Sequence, residues 1–116
     1  MAFKLFNQIT NEKLPSMEVD GVNAFLKDFS VSDDSDKPIT SGLFNLKAGD
    51  SLKYTYTYHE MKFIVDGSFT IEDETGQKEI VKAGDLLYFP KGTEIIFTTD
   101  DFGLGFFCGQ RGEGEA

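Results

Sequence analysis

Histidine occurs once in these 116 residues, at His59, and cysteine once, at Cys108. A lone cysteine closes no internal disulfide, so the fold must rest on packing, and a buried apolar thiol is the expectation for Cys108. A lone histidine leaves no His or Cys cluster for a metal centre and no recoverable Ser-His-Asp order, and no glycine-rich phosphate loop precedes a helix. Tryptophan is absent, and no apolar run approaches the ~18 residues of a membrane span. Basic residues are scarce: eleven Lys and Arg face twenty Asp and Glu, a formal charge of −9, which argues against a nucleic-acid partner. The acidity is spread over turns and solvent positions and reads as solubility. Met1-Ala2-Phe3-Lys4 carries no apolar signal-peptide core, so a cytoplasmic protein without a membrane partner is expected.

What is present is a chain of one-domain length, 40% hydrophobic, with twelve Phe and four Tyr. Residues 1–24 read as an N-terminal arm, with a short strand or arm at Phe3–Phe6 and one helical turn within Thr10–Pro15. Strand patterns follow at Phe25–Val31 and Ile39–Leu46, on either side of the polar loop Ser32–Pro38. Lys47-Ala48-Gly49-Asp50 then recurs as Lys82-Ala83-Gly84-Asp85, each copy a glycine turn feeding an apolar strand, which suggests a pseudo-symmetric all-β body. Further strands are expected at Ser68–Glu72, Lys78–Val81, Leu86–Phe89, Ile95–Thr98 and Leu104–Cys108. The glycine- and glutamate-rich residues 109–116 read as a loose tail, dispensable for folding. Short strands at frequent spacing with little helix predict a β-sandwich or barrel.

The stretch Tyr54 to Gly67 concentrates the chemistry. Tyr54, Tyr56 and Tyr58 share one face of an extended chain, and Glu60 joins them if the strand stays regular. Asp66-Gly67 supplies a tight-turn signal before the returning strand. Glu60 in an aromatic cavity is read as a buried general base or acid, or as a carboxyl hydrogen-bonded to a tyrosine hydroxyl or to Lys62. The tyrosines either donate hydrogen bonds to a ligand carbonyl or oxyanion, or fill the interior. Lys62 shares the parity of Glu60, which permits an interior ion pair or a lysine reaching solvent. His59 has the opposite parity and is read as a proton shuttle or a surface residue. Ile95 and Phe97, on one parity, line a pocket or belong to the core.

Three fragments in order carry a family resemblance: Gly49; Glu60 followed by Gly67; and Gly84, five residues, then Pro90-Lys91-Gly92. By these the chain resembles the cupins, small jelly-roll β-barrels, and Tyr58–Gly67 with Leu86–Ile95 resembles the ethanolamine-utilisation EutQ-type branch. The resemblance implies an all-β, single-domain cupin-like jelly roll over residues 1–116, paired as a homodimer. It also implies where a metal would be held. The family's His-x-His pair falls on Tyr54 and Tyr56, its glutamate on Glu60 and its third histidine on Ile95. Neutral phenols are poor ligands and isoleucine is none, so neither a metal nor another cofactor is expected. The function expected from Glu60 and the tyrosine row is metal-independent acid/base chemistry of isomerase, lyase or cyclase type on a small, partly apolar molecule inside the barrel. Glu60, Tyr54 and Tyr56 would be catalytic, Tyr58, Lys62, Ile95 and Phe97 would bind substrate, and His59 would shuttle protons. The alternative is a non-catalytic binding or accessory cupin.

Overall fold

A computed structural model describes residues 1–116. Strand β1 spans Asn23–Val31, β2 Thr40–Lys47, β3 Leu52–Thr55, β4 Glu60–Asp73, β5 Lys78–Lys82, β6 Leu86–Phe89, β7 Glu94–Thr98 and β8 Phe102–Gly109. All pairings are antiparallel. One sheet runs β1-β2-β8-β4-β6, the other β5-β4-β7-β3. The fourteen-residue β4 belongs to both, its first half in the first sheet and its second half in the other, so the whole curls into the jelly-roll barrel of a single-domain cupin-like protein.

The strand that joins the sheets corrects one sequence expectation. Asp66-Gly67 is no hairpin turn: β4 runs straight through it, with a bulge against β8 between Ile64 and Asp66. Gly67 has φ +68°, and a Cβ there would collide with the Phe102 carbonyl oxygen. Turn and bulge make the same local demand, a residue tolerant of φ > 0. Here the demand comes from the corner where β4 changes sheets. The second Lys-Ala-Gly-Asp turn braces the same corner: the Gly84 N–H donates to the Ile64 carbonyl and the Ile64 N–H to the Asp85 carbonyl, both at 2.9 Å.

Between the sheets lies an aromatic core. Phe44 packs on Phe69 and Phe97 with ring centroids 5.8 and 5.4 Å apart, and Phe89 meets Phe97 at 5.8 Å. Such pairs add about 0.5–1.5 kcal/mol each beyond area burial.

The termini depart from expectation. Phe3–Phe6 forms no strand, and the helical turn within Thr10–Pro15 is a single 3-10 turn at Ile9–Asn11. Residues 15–17 lie along the free edge of β1: the Met17 N–H donates to the Ala24 carbonyl and the Leu26 N–H to the Pro15 carbonyl. At the other end, residues 109–116 are not a loose tail. Arg111 is buried and forms a two-pronged ion pair with Asp28 at 2.8 and 2.9 Å, and Asp28 also accepts the Gly114 N–H. The Thr40 hydroxyl donates to the Arg111 carbonyl at 2.7 Å. A charge-assisted fork fixes a segment that has almost no apolar side chain to bury. No helix is long and apolar enough to cross a membrane.

Candidate functional site

The tyrosine strand ends early. β3 stops at Thr55, because beyond it Tyr56 turns to the Pro90–Thr93 loop: its N–H donates to the Thr93 carbonyl and its carbonyl accepts the Gly92 N–H. The alternation survives the break. Tyr56, Tyr58, Glu60, Lys62 and Ile64 are buried and Tyr54 is half-buried, whereas Thr55, Thr57, His59, Met61 and Phe63 face outward. A row of polar groups thus runs along the inside of the barrel from β3 into β4.

At its centre the Tyr56 hydroxyl donates to Glu60 Oε2 at 2.5 Å. Lys62 Nζ lies 3.3 Å from the same oxygen and 3.4 Å from the Tyr56 hydroxyl. Its ammonium also lies over the rings of Phe44 and Phe97, 4.5 and 4.7 Å from their centroids, a cation–π arrangement in a dry setting. Glu60 and Lys62 are 4% and 3% exposed, so this is a buried ion pair, made through Glu60 Oε2, while Oε1 accepts no hydrogen bond. Burial lowers the Lys62 pKa, against the opposing pull of Glu60. Burial, and then the charge of Glu60, push the Tyr56 phenol well above its ordinary range.

Nearer the barrel mouth the Tyr54 and Tyr58 hydroxyls share a hydrogen bond of 2.8 Å. Burial raises the pKa of both phenols. The Arg111 guanidinium lies 5.4 Å from the centroid of Tyr58. Burial opposes the charge on Asp28, but the Arg111 hydrogen bonds, the Gly114 N–H and the Arg111 charge together hold its carboxyl below the usual range. Arg111 Nε is buried without a partner.

These groups border a cavity of about 20 Å³, the space of about one water, together with Met17, Leu26, Phe44, Leu52, Phe97 and Ala116. Of the residues singled out in the sequence, Tyr54, Tyr56, Tyr58, Glu60, Lys62 and Phe97 meet at this cavity. Ile95 does not line it: it packs in the core, opposite Tyr54 in the β3–β7 register. His59 lies outside the barrel, where its Nδ1 accepts the Lys91 N–H at 3.1 Å and bonds the Tyr88 hydroxyl at 3.0 Å. Arg111 and Asp28 were not legible as site residues, since they meet across 83 positions of sequence. The chain's sole arginine, set in a glycine- and glutamate-rich tail, was the only signal.

The donor set does not fit a divalent metal. At the four positions the cupin resemblance assigns to ligands stand two phenols that burial keeps protonated, one carboxylate and an isoleucine. The carboxylate already holds the Lys62 ammonium, a cation the chain supplies itself. No group of three His, Cys, Asp or Glu side chains converges elsewhere in the structure.

Comparison with known proteins agrees with the barrel. The EutQ-like cupin domain matches residues 34–103, more than half of the chain. "Acetate kinase EutQ" of Clostridioides difficile strain 630 is 27% identical over 106 residues, covering 81% of this chain and 64% of that protein, so the chain spans less than two-thirds of that relative. The structure of the Clostridium difficile EutQ protein superposes with a TM-score of 0.75 at 20% identity, over 89% of this chain and 77% of that one. The polyketide cyclase RemF from Streptomyces resistomycificus superposes with a TM-score of 0.76 at 14% identity, over 98% and 82%. The bulged strand, the two glycine turns and the inward row all fall within or beside the matched segment, and the chain belongs to the EutQ-like cupin domain family.

Proposed function

We propose that this chain is a metal-independent accessory cupin that binds a small molecule at its barrel mouth without converting it. The observation that carries this reading is the crowding at Glu60: its Oε2 is held by Tyr56 and Lys62 beside a cavity of only about 20 Å³. A general base must reach the proton it removes, within about 3 Å or through one water; Glu60 Oε2 is taken up by Tyr56 and Lys62, and the cavity beside the carboxylate has no room for a substrate. The mouth itself has hydrogen-bonding capacity left. One of the Tyr54 and Tyr58 hydroxyls donates to the other, which leaves one O–H unspent. A free phenol donor beside the apolar side chains of Met17 and Leu26 suits a small, partly apolar ligand that offers an acceptor oxygen, admitted when residues 111–116 move aside, since the closed cavity holds about one water.

The test is a thermal-shift screen of small oxygenated organic molecules, followed by incubation of each hit and analysis for products. A hit whose affinity falls in Tyr58→Phe and which is recovered unchanged supports the proposal. Conversion of a hit, lost by 100-fold or more in Glu60→Gln, overturns it.

That outcome would favour the second reading, an acid/base isomerase, lyase or cyclase. One observation supports it: phenol, carboxylate and ammonium lie in hydrogen-bonding sequence in a dry interior, which is a proton relay in form. It requires residues 111–116 to leave the mouth. The phosphoryl transfer named for the longer C. difficile relative has less to rest on here, because the only helical element is the three-residue turn at Ile9–Asn11 and no phosphate-cradling loop leads into it.

A further inference from the structure

Outside the barrel, on the far side of the first sheet, lies a cleft of about 300 Å³, the low end of the range for small-molecule sites. Residues 10–14 of the arm border it on one side, and outward side chains of β1, β2 and β8 on the other. The register lays its floor. Phe25, Asn45 and Leu104 stand in one row across the three strands, with Leu43 in the row on one side and Phe102 in the row on the other. These residues have the opposite parity to Leu26 and Phe44, so the cleft shares no side chain with the cavity at the barrel mouth. Charge sets it apart from the other surface clefts. Lys13 and Lys47 both line it, and neither forms an ion pair. Its one carboxylate, Glu12, is already held by Lys27 at 2.6 Å. Two other clefts of comparable size are acidic: Asp73, Glu74 and Glu79 line one, and Glu94 joins Asp73 and Glu74 against Lys53 in the other. In a chain of formal charge −9, two unpaired ammonium groups at one cleft run against the surrounding field and make it the place where an anion is concentrated.

We propose that this cleft is a second binding site, independent of the barrel mouth, for a small organic carboxylate with an aromatic or branched apolar body. The floor selects the body and the rim the charge. Phe25, Leu43, Phe102 and Leu104 offer carbon surface that a bare inorganic anion cannot cover, so an occupant that gains from the floor must carry an apolar part. The Lys47 ammonium lies 5.2 Å from the centroid of the Phe25 ring, which keeps its charge beside that floor. Asn45 Nδ2 gives one N–H to the Gly103 carbonyl at 2.9 Å and keeps a second, a donor for a carboxylate oxygen already neutralised by the lysines. A phosphoryl group fits less well, because no arginine fork stands here to grip it, the sole arginine being Arg111 at the barrel mouth.

Amide NMR of the 116-residue chain, titrated separately with phenylacetate, the neutral 2-phenylethanol and inorganic phosphate, tests this. The expected result is saturable shifts at residues 10–14, Asn45 and Leu104 with phenylacetate, at a dissociation constant of ~1 mM, and binding of 2-phenylethanol weaker by about ten-fold or more. Phosphate at the same concentrations should leave those amides in place. Lys13→Gln combined with Lys47→Gln, both at exposed positions, should weaken phenylacetate by about ten-fold, while Tyr58→Phe at the barrel mouth should leave its affinity unchanged. No saturation by ~20 mM overturns the proposal, as does equal affinity for the acid and the alcohol, phosphate moving the same amides, or a double lysine variant that binds as tightly as the wild type. Binding lost in Tyr58→Phe would assign the ligand to the mouth and overturn it equally.

Discussion

The two sides of β4 reverse the usual order of a half-buried strand. Its inward row from the N-terminal end reads Glu60, Lys62, Ile64, and its outward row Met61, Phe63, Val65. A strand with one solvated face normally turns its apolar side chains in and its charges out. The inner row tolerates charge because Glu60 and Lys62 neutralise each other through Oε2 and Tyr56 adds a hydrogen bond to the same oxygen. The outer row has no such internal partner. The inner side therefore finds its partners within the chain, whereas the outer side stays exposed.

The largest expected effect comes from breaking the inner row. Lys62→Met leaves a buried carboxylate without its cation, and the expected loss is about 3–5 kcal/mol of unfolding free energy, read by urea denaturation. Unchanged stability would mean that Lys62 reaches solvent and that the cation–π contacts are incidental.

Next in size is the clamp at the mouth. Arg111→Ala removes a two-pronged charge-assisted bond and strands Asp28, at a cost of about 2 kcal/mol, or roughly 10 °C in Tm. Deleting residues 110–116 should cost as much. A Tm within 1 °C of the wild type would return this segment to the status of a loose tail.

Two pH limits follow from the same groups. The Asp28 carboxyl is depressed in the folded state, so its contribution is present above its unfolded pKa near 4 and is lost as the pH falls through the lower folded value. The C-terminal segment should come free in that acid window, with backbone amide exchange at Gly114 rising before global unfolding. The phenols of Tyr54, Tyr56 and Tyr58 are raised, so their contribution is complete below about pH 10 and is lost as the pH climbs towards their folded values. Absorbance titration at the phenolate band should show these three ionising late and together with alkaline unfolding. Early, reversible ionisation of all four tyrosines would show a wet, open barrel.

Much of the barrel was legible in the sequence because its strands follow local signals. Leu86–Phe89 is bounded by a glycine turn and Pro90, and Lys78–Lys82 by the Asp73–Gln77 loop, and both lie where pattern and punctuation put them. The inward row of Tyr54 to Lys62 was legible from parity, which persists although the strand itself breaks at Thr55. What local signals could not separate was a turn from a bulge at Gly67, since both ask only for positive φ. Nor could they show that Lys62 stays inside, because its fate depends on Phe44 and Phe97 from other strands. Arg111 was hidden for the same reason: its partner Asp28 lies in β1, and composition alone makes the tail look unattached.

The central claim is that Glu60 and Lys62 form one self-contained unit, and a double-mutant cycle measures it most directly. Unfolding free energies of the wild type, Glu60→Gln, Lys62→Met and the double variant give the coupling between the two side chains. The expected result is a coupling of about 2–3 kcal/mol, with the double variant recovering much of the stability that either single change loses. Additive losses, with a coupling near zero, would contradict it and return Glu60 to the role of a free carboxylate facing the cavity.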